Sequence, residues 1–279
     1  MARAFLERKG LDEARLEAEL LCAHALGIDR LRLFLRLEQP IESHEVDAAR
    51  DLLVRRGRRE PVAYITGKRE FYGREFAVGP GVLIPRPETE QLIDLAREFL
   101  ADREAPLVAE FGCGSGCIAV TLALELPGSH VVTCDLSTTA VAQTRLNAER
   151  LGADVETLIG DGLSVLGERL RREAPRGLDL LVSNPPYVDP ASRPELQPEV
   201  RDYEPELALY APEGDVDHWV KQLLAAAKKW LAPRGALLVE LGAGRGKAAL
   251  AAAEAAGFDA RLHQDLARID RVLEARPRA

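Results

Sequence analysis

What the chain lacks narrows its identity first. Its 279 residues include one methionine, Met1, two tryptophans and only 5 % aromatics. No uncharged apolar run approaches the roughly 20 residues a membrane span needs. The N-terminal Met-Ala-Arg-Ala-Phe-Leu-Glu-Arg-Lys is too charged for a secretory signal, so a cytoplasmic protein without a membrane partner is expected. The four cysteines, Cys22, Cys113, Cys117 and Cys134, form no Cys-x-x-Cys pair and have no histidine at zinc spacing. They are expected to be buried small hydrophobes, with no metal site. Asparagine occurs only at Asn147 and Asn184, and arginine far outnumbers lysine. Where thermolabile residues are so thinned, an asparagine kept in a loop stands out.

What is present describes a globular protein: 47 % hydrophobic and 29 % charged residues. At about 150 residues per domain, the length suggests two domains. Net charge is −8. Residues 1–75 hold fifteen basic and fourteen acidic side chains, so the remainder carries −9. That balance argues against tracking along a nucleic-acid backbone, which needs a basic surface. One basic run exists, Arg55-Arg56-Gly57-Arg58-Arg59. It reads as a solvated helix end favoured by the C-terminal dipole, with contact to RNA or an acidic partner as the other reading.

Residues 1–60 read as a small helical bundle. Asp12 can cap a helix running to about Leu26 with Gly27 as its stop, residues 30–37 make a short apolar helix, and Ser43 can cap a helix ending near Gly57. Residues 61–86 form a linker of short β-prone runs, Phe71-Tyr72-Gly73, Phe76-Ala77-Val78 and Val82-Leu83-Ile84. A turn at Gly79-Pro80-Gly81 suggests a hairpin. From Pro87 to residue 279, strands near 107–111, 130–135, 156–159, 179–183, 236–241, 259–263 and 269–275 alternate with helices. The pattern implies a doubly wound, mostly parallel sheet. Residues 184–214, rich in Pro, Glu and Tyr, show no period; so long an irregular stretch within a domain is usually functional.

Two constellations carry chemistry. Glu110-Phe111-Gly112-Cys113-Gly114-Ser115-Gly116 lies between a strand and the helix from Cys117. Glycines there let the backbone turn sharply and approach a bulky ligand. Glu110 could face the amino group of a methionine moiety. The next strand ends at Asp135, where an acidic side chain can accept both ribose hydroxyls, and Asp161 with Gly162 is placed to hydrogen-bond an adenine. Alone, this fits nicotinamide dinucleotides as well as S-adenosylmethionine. Glu240-Leu241-Gly242-Ala243-Gly244-Arg245-Gly246, followed by Asp265, repeats the pattern. Too few residues follow it to build a nucleotide crevice, so it reads as a structural turn.

The second constellation is Asn184-Pro185-Pro186-Tyr187, at the carboxyl end of the strand Leu180-Leu181-Val182-Ser183. An NH₂ conjugated to a carbonyl or ring is a poor nucleophile because its lone pair is delocalised. The Asn184 side-chain oxygen and the Pro185 carbonyl can accept its two protons and direct the lone pair toward an incoming methyl. Prolines stiffen the loop so those acceptors are aimed beforehand, and Tyr187 offers a face for stacking. Together the two constellations imply N-methylation from S-adenosylmethionine, with S-adenosylhomocysteine as product. They leave open whether the acceptor is an adenine or a side-chain amide.

Further segments carry a resemblance over essentially the whole chain. Pro61-Val62-Ala63-Tyr64-Ile65-Thr66-Gly67, Phe71-Tyr72-Gly73, Val82-Leu83-Ile84-Pro85-Arg86-Pro87-Glu88-Thr89-Glu90, Asn184–Tyr187 and Tyr203-Glu204-Pro205 are similar to signatures of the release-factor glutamine methyltransferases, the PrmC/HemK family. The resemblance implies a Rossmann-like class I methyltransferase domain with a seven-stranded sheet, preceded by a helical domain that helps hold the substrate. It also implies methylation of the glutamine amide in the Gly-Gly-Gln loop of peptide chain release factors. A monomer with no stable nucleic-acid partner is expected. The chain differs from the family pattern at Glu213-Gly214-Asp215-Val216-Asp217 and at Arg245-Gly246. An N6-adenine methyltransferase acting on DNA or RNA is the rival enzyme. It would want a basic groove and a target-recognition segment. A non-catalytic S-adenosylmethionine-binding adaptor is the rival of another class, though it would have no use for an amide clamp.

Overall fold

The structure, a computed structural model, describes residues 1–36, 38–174 and 176–278. The chain divides into two compact units, Met1–Lys68 with Leu196–Tyr203, and Arg69–Glu195 with Glu204–Ala279.

The first unit is helical: α1 (Ala2–Arg8), α2 (Ala14–Ala25), α3 (Arg30–Leu35), α4 (Ser43–Gly57) and α5 (Val62–Thr66). Leu6, Leu11, Ala14 and Ala18 form its core. Two caps differ from expectation. Helix α2 starts after Glu13, with no side-chain cap and Asp12 left outside. Helix α4 takes Glu42 as its cap, because Glu42 and Glu45 each bond the other's backbone N–H, leaving Ser43 as the first helical residue. Leu37, the last residue of the expected 30–37 helix, lies outside the described residues.

The arginine run is not a solvated helix end. Arg56 is 5 % exposed. Its Nε and Nη2 each donate to the Glu17 carboxylate at 2.9 Å, and Nη2 also donates to Glu199 at 2.8 Å. Arg59 reaches the same Glu199 at 3.0 Å, and Arg55 pairs with Glu60. Glu199 sits on α10 (Pro198–Tyr203), a helix within the stretch expected to be irregular. The Tyr203 hydroxyl adds a bond to the Arg58 carbonyl at 2.7 Å. Glu17 and Glu199 lie 39 and about 140 residues from the arginines they bind, which is why local pattern did not show them.

The second unit opens with a hairpin, β1 (Lys68–Phe71) and β2 (Arg74–Ala77). Its turn is Tyr72-Gly73, not Gly79–Gly81. Both turn residues have positive φ, 51° and 70°, as a tight hairpin turn that follows strand twist requires. Tyr72 is held there by its N–H on Glu90 and its hydroxyl on Asp94. Residues 82–84 form no strand.

The remaining elements are α6 (Glu90–Leu100), β3 (Leu107–Phe111), α7 (Cys117–Glu125), β4 (His130–Asp135), α8 (Thr138–Leu151), β5 (Glu156–Ile159), α9 (Gly162–Glu173), β6 (Leu178–Ser183), α11 (Glu206–Leu209), α12 (His218–Trp230), β7 (Leu231–Glu240), α13 (Gly246–Ala255), β8 (Phe258–Gln264) and β9 (Asp270–Pro277). The seven strands after the hairpin form one sheet in the order β5-β4-β3-β6-β7-β9-β8. The first five run parallel; β9 is antiparallel to both β7 and β8. The seven-stranded, mostly parallel sheet is as expected.

Alternate residues of the central strands face opposite sides. Val108, Leu180, Val182 and Leu238 pack with Leu92, Ile93, Ala96 and Leu122 of α6 and α7. Ala109, Leu181, Leu237 and Val239 pack with Leu166, Leu223, Leu224 and Ala253 of α9, α12 and α13. The chain winds outward from β3 to β5, then returns to β6 on the other side of β3. That reversal opens a crevice at the carboxyl ends of β3 and β6, where such sheets bind ligands. Among the described residues, no helix is long and apolar enough to cross a membrane.

Candidate active site

The crevice holds a cavity of about 330 Å³. The end of β3 and the loop after it contribute Glu110, Gly112, Cys113, Gly114 and Ser115. Asp135 comes from the end of β4, Asp161 and Gly162 from the turn after β5, and Asn184 with Pro186 from the end of β6. Residues spread over 77 positions thus meet in one space. Three expected site residues are not on its wall: Gly116, Pro185 and Tyr187.

The loop is built for close approach. Gly112 and Gly114 have φ of 81° and 51°, a region side chains disfavour, and a Cβ at either would meet no atom within 4 Å. The open space over them is what a bulky ligand needs. Gly112 and Cys113 donate their N–H groups to the Cys134 carbonyl at 3.0 Å, while Gly114 donates to Asp135 Oδ2 at 3.1 Å. Ser137 donates to Asp135 Oδ1 at 2.8 Å. Two backbone donors therefore fix the Asp135 carboxylate against the loop, with lone pairs left over. Gly116 has a packing role: a Cβ there would lie 2.9 Å from the Thr144 methyl. Asn147, the other asparagine, is fully buried in α8. It accepts from Ala77 N–H and donates to the Ala77 and Ser115 carbonyls, tying the hairpin to the loop.

Glu110 is 1 % exposed and accepts from Thr133 Oγ1 at 2.7 Å. Burial, with repulsion from Asp135, pushes its carboxyl up to about 8 despite that hydrogen bond. The folded chain therefore holds a proton that the unfolded chain releases near pH 4.5. Since νN exceeds νU between these values, stability falls as pH rises from about 4.5 toward 8. Glu110→Gln removes this ionisation. Thermal melts of the ligand-free protein should place the variant above wild type at pH 8 and level with it at pH 4.5; equal gaps at both pH values would show that Glu110 ionises normally.

Cys113 and Cys134 are buried, whereas Cys22 and Cys117 are only half-buried, against expectation. Burial pushes the Cys117 and Cys134 thiols up to about 12 and raises Cys113 as well, so these three stay protonated. Their part in the site is shape.

At the end of β6, Asn184 Nδ2 donates to Thr89 Oγ1 at 3.2 Å. Tyr187 turns away from the cavity. Its hydroxyl donates to Glu240 Oε1 at 3.3 Å, and its ring lies over Gly242, where a Cβ would come within 3.0 Å. None of the second glycine pattern lies on the cavity wall; a Cβ at Gly244, with φ of 78°, would meet no atom within 4 Å, while its other glycines pack against neighbours. Gly246 is needed because a Cβ there would strike Asp270 Oδ2. Asp265 closes the β8–β9 turn, accepting from Ala267 and Ile269 N–H and from Arg271. The two departures from the family pattern meet each other, Arg245 donating both Nε and Nη2 to Asp217.

Sequence reading missed several wall residues: Leu83, Pro85, Arg86 and Thr89, together with Leu207 and Trp219. The first four lie in the Val82–Glu90 segment, whose resemblance was legible while its position was not. Glu204, of the Tyr-Glu-Pro signature, holds that segment in place. It is 5 % exposed, accepts from Ile84 N–H at 3.1 Å and pairs with Arg86.

Residues 1–67 match the family model described as the PrmC N-terminal domain, and residues 90–197 match the methyltransferase small domain. The fold is similar to the hMettl16 catalytic domain, with TM-score 0.58 and 15 % identity over 82 % of this chain and 83 % of that one. It is also similar to the human methyltransferase 10 domain containing protein, with TM-score 0.54 and 16 % identity over 76 % and 92 %. Fold and sequence together define a methyltransferase. The chain is 42 % identical over 278 residues to the release factor glutamine methyltransferase of Geobacter sulfurreducens, covering 98 % of this chain and 93 % of that one. It is 42 % identical over 279 residues to that of Chlorobaculum tepidum, covering 97 % and 92 %. The chain belongs to the release factor glutamine methyltransferase family.

Proposed function

We propose that this chain transfers a methyl group from S-adenosylmethionine to the side-chain amide nitrogen of the glutamine in the Gly-Gly-Gln loop of peptide chain release factors. One observation carries the reading: Asn184 and the open glycine loop face the same cavity across the strand reversal. The cavity volume lies in the range of small-molecule sites, and the residues fit the cofactor. Gly112 and Gly114 leave the backbone bare for it, Asp135 is oriented to accept ribose hydroxyls, and Asp161 and Gly162 lie where an adenine edge would be met. S-adenosylmethionine, when bound, supplies an electrophilic methyl on a sulfonium sulfur.

The protein's task is then to make an amide nitrogen nucleophilic. The Asn184 side-chain oxygen, on the cavity wall, accepts an N–H proton of the glutamine, opposing delocalisation of the lone pair into its carbonyl, while Pro185, off that wall, stiffens the loop that carries it. With the methyl supplied from that sulfonium, the amide nitrogen would keep both protons until after transfer, so this chain would need no base before attack. Tyr187 acts from behind this loop. Residues 1–60 are assigned to holding the release factor, because a lone glutamine offers too little surface to place itself.

Asp135→Ala should weaken S-adenosylmethionine binding by roughly 1.5–3 kcal/mol, as loss of a charged hydrogen-bond acceptor does. Asp265→Ala should leave that affinity nearly unchanged. Titration calorimetry reads both, and the reverse result would move the cofactor site to Gly242–Gly246. Radiolabelled methyl transfer to purified release factors, DNA, RNA and bulk protein tests the acceptor. Label on the glutamine of an intact release factor is expected; label on adenine instead would overturn the reading.

A further inference from the structure

A purine base offers two kinds of surface. Its edges are read by hydrogen bonds, for which Asp161 is placed. Its faces are flat and apolar, and are held by stacking on another ring. Glycine at 162 supplies no side chain to cover a face, so that surface has to come from elsewhere in the fold.

Phe111 and Trp219 are the aromatic residues of the cavity wall. Their ring centroids are 4.9 Å apart with the planes tilted by 40°. Phe111 packs in turn against Gly162, where a Cβ would come within 2.6 Å of the phenyl ring. Trp219, Phe111, Gly162 and Asp161 are therefore neighbours in the cavity. Phe111 is 7 % exposed and has little area left to give, whereas Trp219 is half-buried. The indole is the larger and more open of the two rings.

Trp219 is the second residue of α12, and the segment that departs from the family pattern ties down that end of the helix. Asp217 accepts from Arg245 Nε at 3.1 Å and from Arg245 Nη2. His218 donates its N–H to the Asp215 carbonyl at 3.0 Å, and Lys221 Nζ donates to Asp215 Oδ1 at 2.7 Å. The His218 ring stands at 89° to the indole, with centroids 5.0 Å apart. Neither Asp217 nor Arg245 lies on the wall. What their pairing fixes is the place of Trp219.

We propose that Trp219 is a cofactor-binding residue whose indole stacks on the adenine of S-adenosylmethionine, with Arg245 and Asp217 holding it there. The inference rests on the S-adenosylmethionine reading and adds the face of the base to the edge already assigned to Asp161 and Gly162. It also gives the two departures from the family pattern a common purpose.

The experiment uses the full chain and its own fluorescence. The other tryptophan, Trp230, ends α12 against Gly167 and is off the wall, so Trp230→Phe leaves Trp219 as the single indole. S-adenosylhomocysteine and 5′-methylthioadenosine, which carry the base, should quench its emission; methionine, which lacks it, should not. In the calorimeter, Trp219→Leu fills the space without a π face and should weaken S-adenosylmethionine binding about tenfold. Trp219→Phe should restore most of that loss. Arg245→Ala should weaken binding in the wild-type background and add nothing in Trp219→Leu. A wild type that takes up no S-adenosylmethionine sinks the cofactor reading and this inference together. A wild type that binds it with unchanged Trp219 emission, or quenching by methionine alone, overturns the inference by itself. So does a folded Trp219→Leu that binds as tightly as wild type.

Discussion

Asn184→Ala should lower kcat by about 10²–10³, the scale on which loss of one preorganised polar contact is felt at a developing charge. An amide nitrogen shares its lone pair with the adjacent carbonyl, so the barrier lies largely in recovering that density for attack. An acceptor aimed at one of its protons helps do so, and removing it leaves that proton facing the alanine methyl in a space where water can enter only by displacing substrate. S-adenosylmethionine affinity should fall far less, since the glycine loop, Asp135 and Asp161 all remain. Single-turnover transfer of labelled methyl and calorimetric binding separate the two quantities. Equal losses in both would make Asn184 chiefly a cofactor ligand.

Arg56→Ala should destabilise the helical unit by about 3–5 kcal/mol, the usual result of deleting one partner of a buried ion pair. The loss is large because the arginine serves two carboxylates. Without it, Glu17 and Glu199, whose side chains are 14 % and 16 % exposed, face each other with only Arg59 to reach one of them. Arg56→Lys should recover little, since one ammonium cannot reproduce the forked contact with Glu17 and still bond Glu199. Denaturant titrations followed by circular dichroism would measure the change. A shift below about 1 kcal/mol would mean that the pair is solvent-screened and energetically idle.

The sheet was legible because its signals are local and periodic. Most strands of the sheet fall where short apolar runs are bounded by turn residues, β8 and β9 mixing charged with apolar residues, and the glycine loop and Asn184 announce themselves by composition. The hairpin turn was misplaced because Tyr72 does not look like a residue with positive φ. What permits it is a set of bonds from Glu90 and Asp94, about 20 residues on. The caps of α2 and α4 went astray for a related reason. Asp12 and Ser43 are good cap residues in isolation, but Glu42 with Glu45 satisfies two backbone donors at once. Tyr187 shows the limit of reading a motif as a unit. Its four residues are contiguous, yet Asn184 and Pro186 line the cavity while Tyr187 points to Glu240, on a strand more than fifty residues later. Nothing in the order of residues records that β7 lies beside β6.

The route of the chain also bears on how the protein is made. Arg56 leaves the ribosome together with Glu17, but Glu199 follows 143 residues after Arg56. In vectorial synthesis the bundle can gather α1 to α5 early, while one carboxylate of its central ion pair is still untranslated. At about 5–20 residues per second, that interval lasts on the order of ten seconds. Until then Arg56 has only Glu17, and the bundle's last element waits for β3 to β6 to be delivered first. Completion of the N-terminal unit is thereby deferred until Asn184 and its loop have emerged.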